Sequence, residues 1–190
     1  MMEMNMRNMT NLLPRLFSCL LAATLSISMS VARAQSDDPV ENPRVLMKTT
    51  DGDITIELFA DKSPITVENF LRYVDDGHYD GTVFHRVISN FMIQGGGFDA
   101  ELKEKPTRDP IVNESKNKLH NTRGTLAMAR TSDPGSAAAQ FFINQRSNLR
   151  LDWSGGKDGY AVFGEVVDGC LLYTSPSPRD LSTSRMPSSA

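Results

Sequence analysis

From Asp53 to Leu58 the apolar residues Ile54, Ile56 and Leu58 alternate with Asp53, Thr55 and Glu57, the period of two expected of a strand with one buried face. Val45 to Thr50 is a second β-prone run, and Asp51-Gly52 lies between the two. This predicts a β-hairpin. The period then changes. Ser63-Pro64 joins a capping residue to a proline suited to the first helical position, and Val67, Phe70, Leu71 and Val74 follow at helical spacing as far as Gly77. One amphipathic helix is predicted, with Glu68 favourable in its first turn. Short apolar runs return at Thr82 to Val87, Phe91 to Gln94, Thr125 to Ala129, Gln140 to Ile143 and Tyr160 to Val167, divided by turn-rich segments. A parallel α/β sheet would need a helix after nearly every strand, so this pattern favours a small β-barrel. No internal repeat is visible.

Neither end of the chain continues these patterns. Residues 1–34 place Arg7 and Arg15 before an apolar run from Leu16 to Met29 and finish in Ala32-Arg33-Ala34, as a cleavable signal peptide does. A membrane anchor is the alternative, but the run is shorter than the ~20 apolar residues of a span and is diluted by Ser18, Thr24, Ser26 and Ser28. A lipid on Cys19 would need a longer apolar segment before it. The expectation is therefore export to the periplasm or medium, with no membrane contact after cleavage. A polar linker over 35–43 and one domain over 44–169 would follow. From Cys170 the chain reads CLLYTSPSPRDLSTSRMPSSA, which resembles a translated sequencing adapter followed by a primer. Residues 170–190 are expected to be a non-native tail, the alternative being a genuine Ser/Pro-rich extension.

Setting both ends aside changes the charge. Without Glu3, Asp180 and five arginines, the totals of 23 acidic and 20 basic residues become 21 and 15, a net charge of −6 with no basic block to track a phosphate backbone. Nucleic acid is not an expected partner. Both cysteines leave with the ends, so the domain must be held by its core alone. His78, His85 and His120 lack metal-ligand spacing, no lysine motif follows Gly95-Gly96-Gly97 to make it a phosphate loop, and Ser132 to Ser136 holds no hydrolase nucleophile motif. No metal or cofactor is expected.

Three blocks remain: Phe84-His85-Arg86-Val87-Ile88 running into Phe91-Met92-Ile93-Gln94-Gly95-Gly96-Gly97-Phe98; Gly124 to Ala129 with Gln140-Phe141-Phe142-Ile143-Asn144; and Tyr160-Ala161-Val162-Phe163-Gly164. In order and spacing they resemble the cyclophilins, over Val45 to Gly169. The resemblance implies a mainly β fold, an eight-stranded barrel capped by two helices, here truncated before the second helix and the closing strand. It implies a prolyl isomerase acting on X-Pro bonds of exported proteins and assisting their folding. Arg86 would be the catalytic donor. Phe91, Met92, Gln94, Ala129, Gln140, Phe142, Leu151 and Tyr160 would bind substrate, while Phe84, Phe141 and Phe163 would be core. The implied partners are proline-containing unfolded or flexible polypeptides, met by a monomer.

Without the resemblance each of these residues has a plainer role. An arginine in a strand is commonly a surface ion-pair partner, and large apolar residues are commonly core. The chain also departs from the family pattern. Arg150 stands before Leu151-Asp152 where many members have tryptophan, Tyr160 stands in place of histidine, Arg130 in place of asparagine, and Ser89-Asn90 in place of Pro-Gly. These changes alter the groove edge and the peptide preference. A proline-peptide binding module or chaperone with weak catalysis is the alternative function, and a ligand-carrying barrel is disfavoured by the large residues expected to fill its interior.

Overall fold

The computed structural model describes residues 42–169. The expected signal segment, most of the expected linker and the expected tail lie outside the described residues. Seven strands form one antiparallel sheet: β1 (Arg44–Thr49), β2 (Gly52–Leu58), β3 (Arg86–Ile88), β4 (Met92–Gly95), β5 (Thr125–Met128), β6 (Phe141–Asn144) and β7 (Val162–Asp168), in the order β1-β2-β7-β5-β6-β4-β3. One α-helix, α1 (Pro64–Asp75), accompanies them. The expected truncation before a second helix and closing strand lies at Gly169, and the residues beyond it are outside the described ones.

The hairpin forms one residue earlier than the Asp51-Gly52 signal indicates. Thr49 pairs with Gly52, leaving Thr50-Asp51 as the loop. Thr49 is the reason: its hydroxyl donates to the Gly52 carbonyl at 2.7 Å and accepts from the Asp51 N–H at 3.2 Å, closing the turn with a side chain.

Val67, Phe70 and Tyr73 of α1 are buried with Ile54, Ile56, Leu58, Ile93, Leu126, Phe141, Ile143 and Phe163 in the main core. Phe70 meets the rings of Tyr79, Phe163 and Phe141 at 5.1, 5.2 and 5.7 Å, within the range where aromatic pairs add to area burial. The start of α1 departs from the local capping signal. Ser63 is the N-cap but makes no side-chain cap bond; its hydroxyl donates to the Val162 carbonyl at 2.8 Å. Glu114, 48 residues from Thr66, supplies the cap. Its carboxylate accepts from the backbone N–H groups of Ile65 and Thr66 and from the Thr66 hydroxyl. Glu68 lies beyond the first turn and pairs instead with Arg72. Glu114→Ala should therefore lower unfolding free energy by about 1–2 kcal/mol, the usual size of a lost cap. Chemical denaturation read by circular dichroism checks this, and a loss below about 0.3 kcal/mol would show that the Glu114 cap contributes little to stability.

Candidate active site

Strand register lines up the chemistry before any side chain is considered. Arg86 pairs with Gln94, Gln94 with Phe142, Phe142 with Ala127 and Ala127 with Val162. This is one row across β3, β4, β6, β5 and β7, and directly paired residues share a face of the sheet. Met92, two residues before Gln94, lies on the same face. Met92, Ala127, Phe142 and Val162 accordingly form a second, smaller apolar cluster, joined by Phe91, Leu151 and Tyr160. Their neighbours Ile93, Leu126, Phe141, Ile143 and Phe163 belong to the main core behind the sheet.

On this face lies a depression of about 90 Å3 lined by Arg86, Phe91, Met92, Gln94, Ala129, Arg130, Phe142, Leu151 and Tyr160. It is well short of the roughly 300 Å3 at which small-molecule sites begin, and suits one small apolar ring. Of the residues singled out in the sequence, all but Gln140 line it. Gln140 accepts from Gln94 Nε2 at 2.8 Å and lines a wider adjoining depression with Glu104, Thr107, Arg130 and Ser136. Gln94 in turn accepts from Arg86 Nη1 at 3.3 Å, so a chain of two side-chain contacts steadies the exposed guanidinium. The Phe142 and Tyr160 rings meet edge to face at 5.6 Å.

Arg130 is a wall residue that sequence patterning marks only as a departure. Its guanidinium lies 4.5 Å from the Tyr160 ring centre and donates to the carbonyls of Thr131, Asp158 and Gly159. It thus fixes both the ring and the loop that carries it. Arg150 lies over the opposite wall, 5.3 Å from the Phe91 ring centre. His85 packs against Phe98. Burial, assisted by the neighbouring Arg86 charge, holds its pKa below the usual histidine value, so it is neutral at pH 7 and unsuited to donating a proton there.

Only the middle one of the three successive glycines, Gly96, adopts positive φ, at +82°. Gly95 and Gly97 serve close approach. A Cβ on Gly95 would lie 2.9 Å from the Phe84 ring, and one on Gly97 would lie 2.5 Å from Gln140 Cγ. A tight turn therefore accounts for one glycine, while the other two make room for the core and for Gln140.

Behind the pocket runs a buried chain of asparagines. Asn121 donates to Asp152 Oδ1 from its backbone and its side chain, at 2.7 and 2.9 Å. Asn144 Nδ2 donates to Asn121 Oδ1, and Asn148 Nδ2 donates to Asn144 Oδ1 and to the Phe91 carbonyl. The network reaches three pocket segments, at Phe91, next to Leu151 and, through the Tyr160 carbonyl, at Tyr160. No periodicity marks these residues. Burial alone would raise the Asp152 pKa, but the Asn121 N–H, the Asn121 amide and His120 together outweigh it and hold the carboxyl below its ordinary value. A lowered folded-state value means that the stabilisation is present above the usual carboxylate range and is lost as pH falls through the folded value. Acid unfolding of Asp152→Asn should therefore depend less on pH below about pH 4 than that of the parent. Parallel curves in a melt series from pH 7 to 3 would count against this linkage.

The family model described as cyclophilin type peptidyl-prolyl cis-trans isomerase matches residues 44–175. The chain belongs to this family. The cyclophilin-type relatives include a peptidyl-prolyl cis-trans isomerase of Acinetobacter baylyi, 59% identical over 128 residues that cover 67% of this chain and 68% of that protein. Isomerase B of Escherichia coli is 58% identical, covering 66% of this chain and 78% of its own. Among solved cyclophilin structures, a Cryptosporidium parvum isomerase superposes with a TM-score of 0.63 at 27% identity, over 77% of this chain and 95% of that one. Another crystal structure of a cyclophilin from that organism, determined in the presence of the dipeptide Ala-Pro, gives 0.59 at 28% identity, over 77% of this chain and all of that one. Cyclophilin membership makes the protein a peptidyl-prolyl cis-trans isomerase.

Proposed function

We propose that this isomerase holds the proline ring of its substrate among Phe91, Met92, Phe142, Leu151 and Tyr160 and lowers the rotation barrier with the Arg86 guanidinium. The observation that carries this assignment is a cationic donor at the mouth of an apolar depression of single-ring size. Rotation about an X-Pro bond takes tens to hundreds of seconds unaided, because amide resonance is lost in the twisted state. Once it is lost, the prolyl nitrogen carries a lone pair that can accept a hydrogen bond. A donor aimed there stabilises the transition state and not the planar ground states. Gln94 steadies Arg86 and hydrogen-bonds the substrate backbone, while Gln140 and Ala129 line the adjoining groove. This chemistry requires neither a nucleophile nor a metal.

The substrates of this reading are X-Pro segments of unfolded or flexible polypeptides, consistent with the Ala-Pro dipeptide of the C. parvum crystal. The signal-like residues 1–34 support action on exported clients in the periplasm or medium. Acceleration of cis-to-trans release in a chromogenic Ala-Pro peptide is the deciding measurement. Binding of the peptide without acceleration would make the protein a proline-peptide binding module instead.

A further inference from the structure

On the side of Phe91 where Arg150 stacks lies a second, open depression lined by Asn90, Arg146, Ser147, Asn148, Leu149 and Arg150. It presents two cations, Arg146 and Arg150. Among the described residues, neither the Arg146 nor the Arg150 guanidinium donates a hydrogen bond, and neither takes part in an ion pair. By contrast, Arg44, Lys62, Arg72, Arg108 and His120 each have a carboxylate partner. Lys157 adds a third cation at this end, its ammonium donating to the Arg150 carbonyl at 3.0 Å. An otherwise acidic domain thus gathers uncompensated positive charge beside the proline pocket. Arg150 is held there by the Phe91 ring, at 5.3 Å, which leaves its edge donors free for a planar acceptor.

We propose that Arg150 and Arg146 form a subsite for a carboxylate side chain of the client, so that the enzyme prefers X-Pro segments carrying Asp or Glu close to the proline. The inference rests on the assignment of the proline pocket made above. Spacing limits where the acid sits. An extended chain advances about 3.3–3.6 Å per residue, and Phe91 is shared between the wall of the pocket and the stack under Arg150. A residue one or two positions from the proline therefore reaches the guanidinium. Fork-shaped donors match a carboxylate in two bonds, and an exposed pair of this kind should weaken as salt screens it.

The test uses peptides that carry Glu or Gln at one or two positions before or after the proline, with kcat/KM read by NMR exchange and Kd by calorimetry. At one of these positions the Glu peptide should be favoured about fivefold in both quantities, the upper range for an exposed ion pair. The ratio should fall toward one in 0.5 M salt and in the doubly substituted Arg146→Gln, Arg150→Gln protein. It should persist in Arg123→Gln, which changes an arginine outside this depression. Turnover of all peptides with no Glu preference at any position would overturn the acidic subsite and leave the isomerase assignment standing. So would a preference that survives the double substitution. Glu-selective binding without turnover would do the opposite, keeping the subsite and removing the catalytic role of Arg86.

Discussion

Arg86→Ala should leave the fold intact and cut kcat/KM for X-Pro isomerisation by a hundredfold to a thousandfold, about the effect of removing one transition-state hydrogen-bond donor. The side chain is exposed and its hydrogen bond among the described residues is the one to Gln94, so little packing is lost. Peptide binding should weaken far less than turnover, because the pocket walls remain and the lost bond exists only in the twisted state. Arg86→Lys should recover part of the rate at most, keeping the charge but not the planar fork. A chromogenic-peptide assay alongside a melt separates these effects. Parent-like turnover in Arg86→Ala with an unchanged melt would remove Arg86 from the mechanism.

The second large effect is structural. Asn144 is fully buried. Its amide donates to Asn121 Oδ1, to the Thr125 carbonyl and to the Thr125 hydroxyl, and its carbonyl oxygen accepts from Asn148. Asn144→Ala orphans several of these groups at once, each costing about 1–3 kcal/mol when no water replaces the partner. A loss of about 3 kcal/mol or more is expected against a total stability of roughly 5–15 kcal/mol. The proline pocket should suffer with it, since the same network holds the Phe91 carbonyl and the carboxylate of Asp152, the residue after Leu151. Urea unfolding gives the first quantity, and KM for the surviving folded protein gives the second. A loss below 1 kcal/mol would show that water substitutes for the amide.

Nearly all of the elements were legible, and their edges were less so. The β2 alternation and the run through α1 are periodic, and the hairpin and the helix formed where expected to within a residue or so. Boundaries moved where a side chain intervened. Thr49 closes the hairpin ahead of Asp51-Gly52, and Glu114 takes the capping role expected of Ser63. Both are tertiary or side-chain choices that no window of hydrophobicity contains. The site was legible only through the FHR…FMIQGG and QFFIN blocks. Continuous apolar runs such as Phe141-Phe142-Ile143 hide their alternation because both faces of β6 are covered. The sequence therefore cannot say by period which phenylalanine faces the groove.

What the sequence by itself determined is the inventory: a mainly β chain with one amphipathic helix, no cysteine between residues 44 and 169, and the residue types a prolyl isomerase needs. Local periodicity and composition carry that information because each depends on neighbours a few positions away. Tertiary structure alone decided the rest. Register set Arg86, Gln94, Phe142 and Ala127 in one row across strands far apart in the chain. It also left Arg130 against Tyr160, Arg150 against Phe91, and three asparagines, Asn121, Asn144 and Asn148, in one buried network. These contacts bridge long sequence separations, and their energies exist only once the strands have paired, so no local pattern records them.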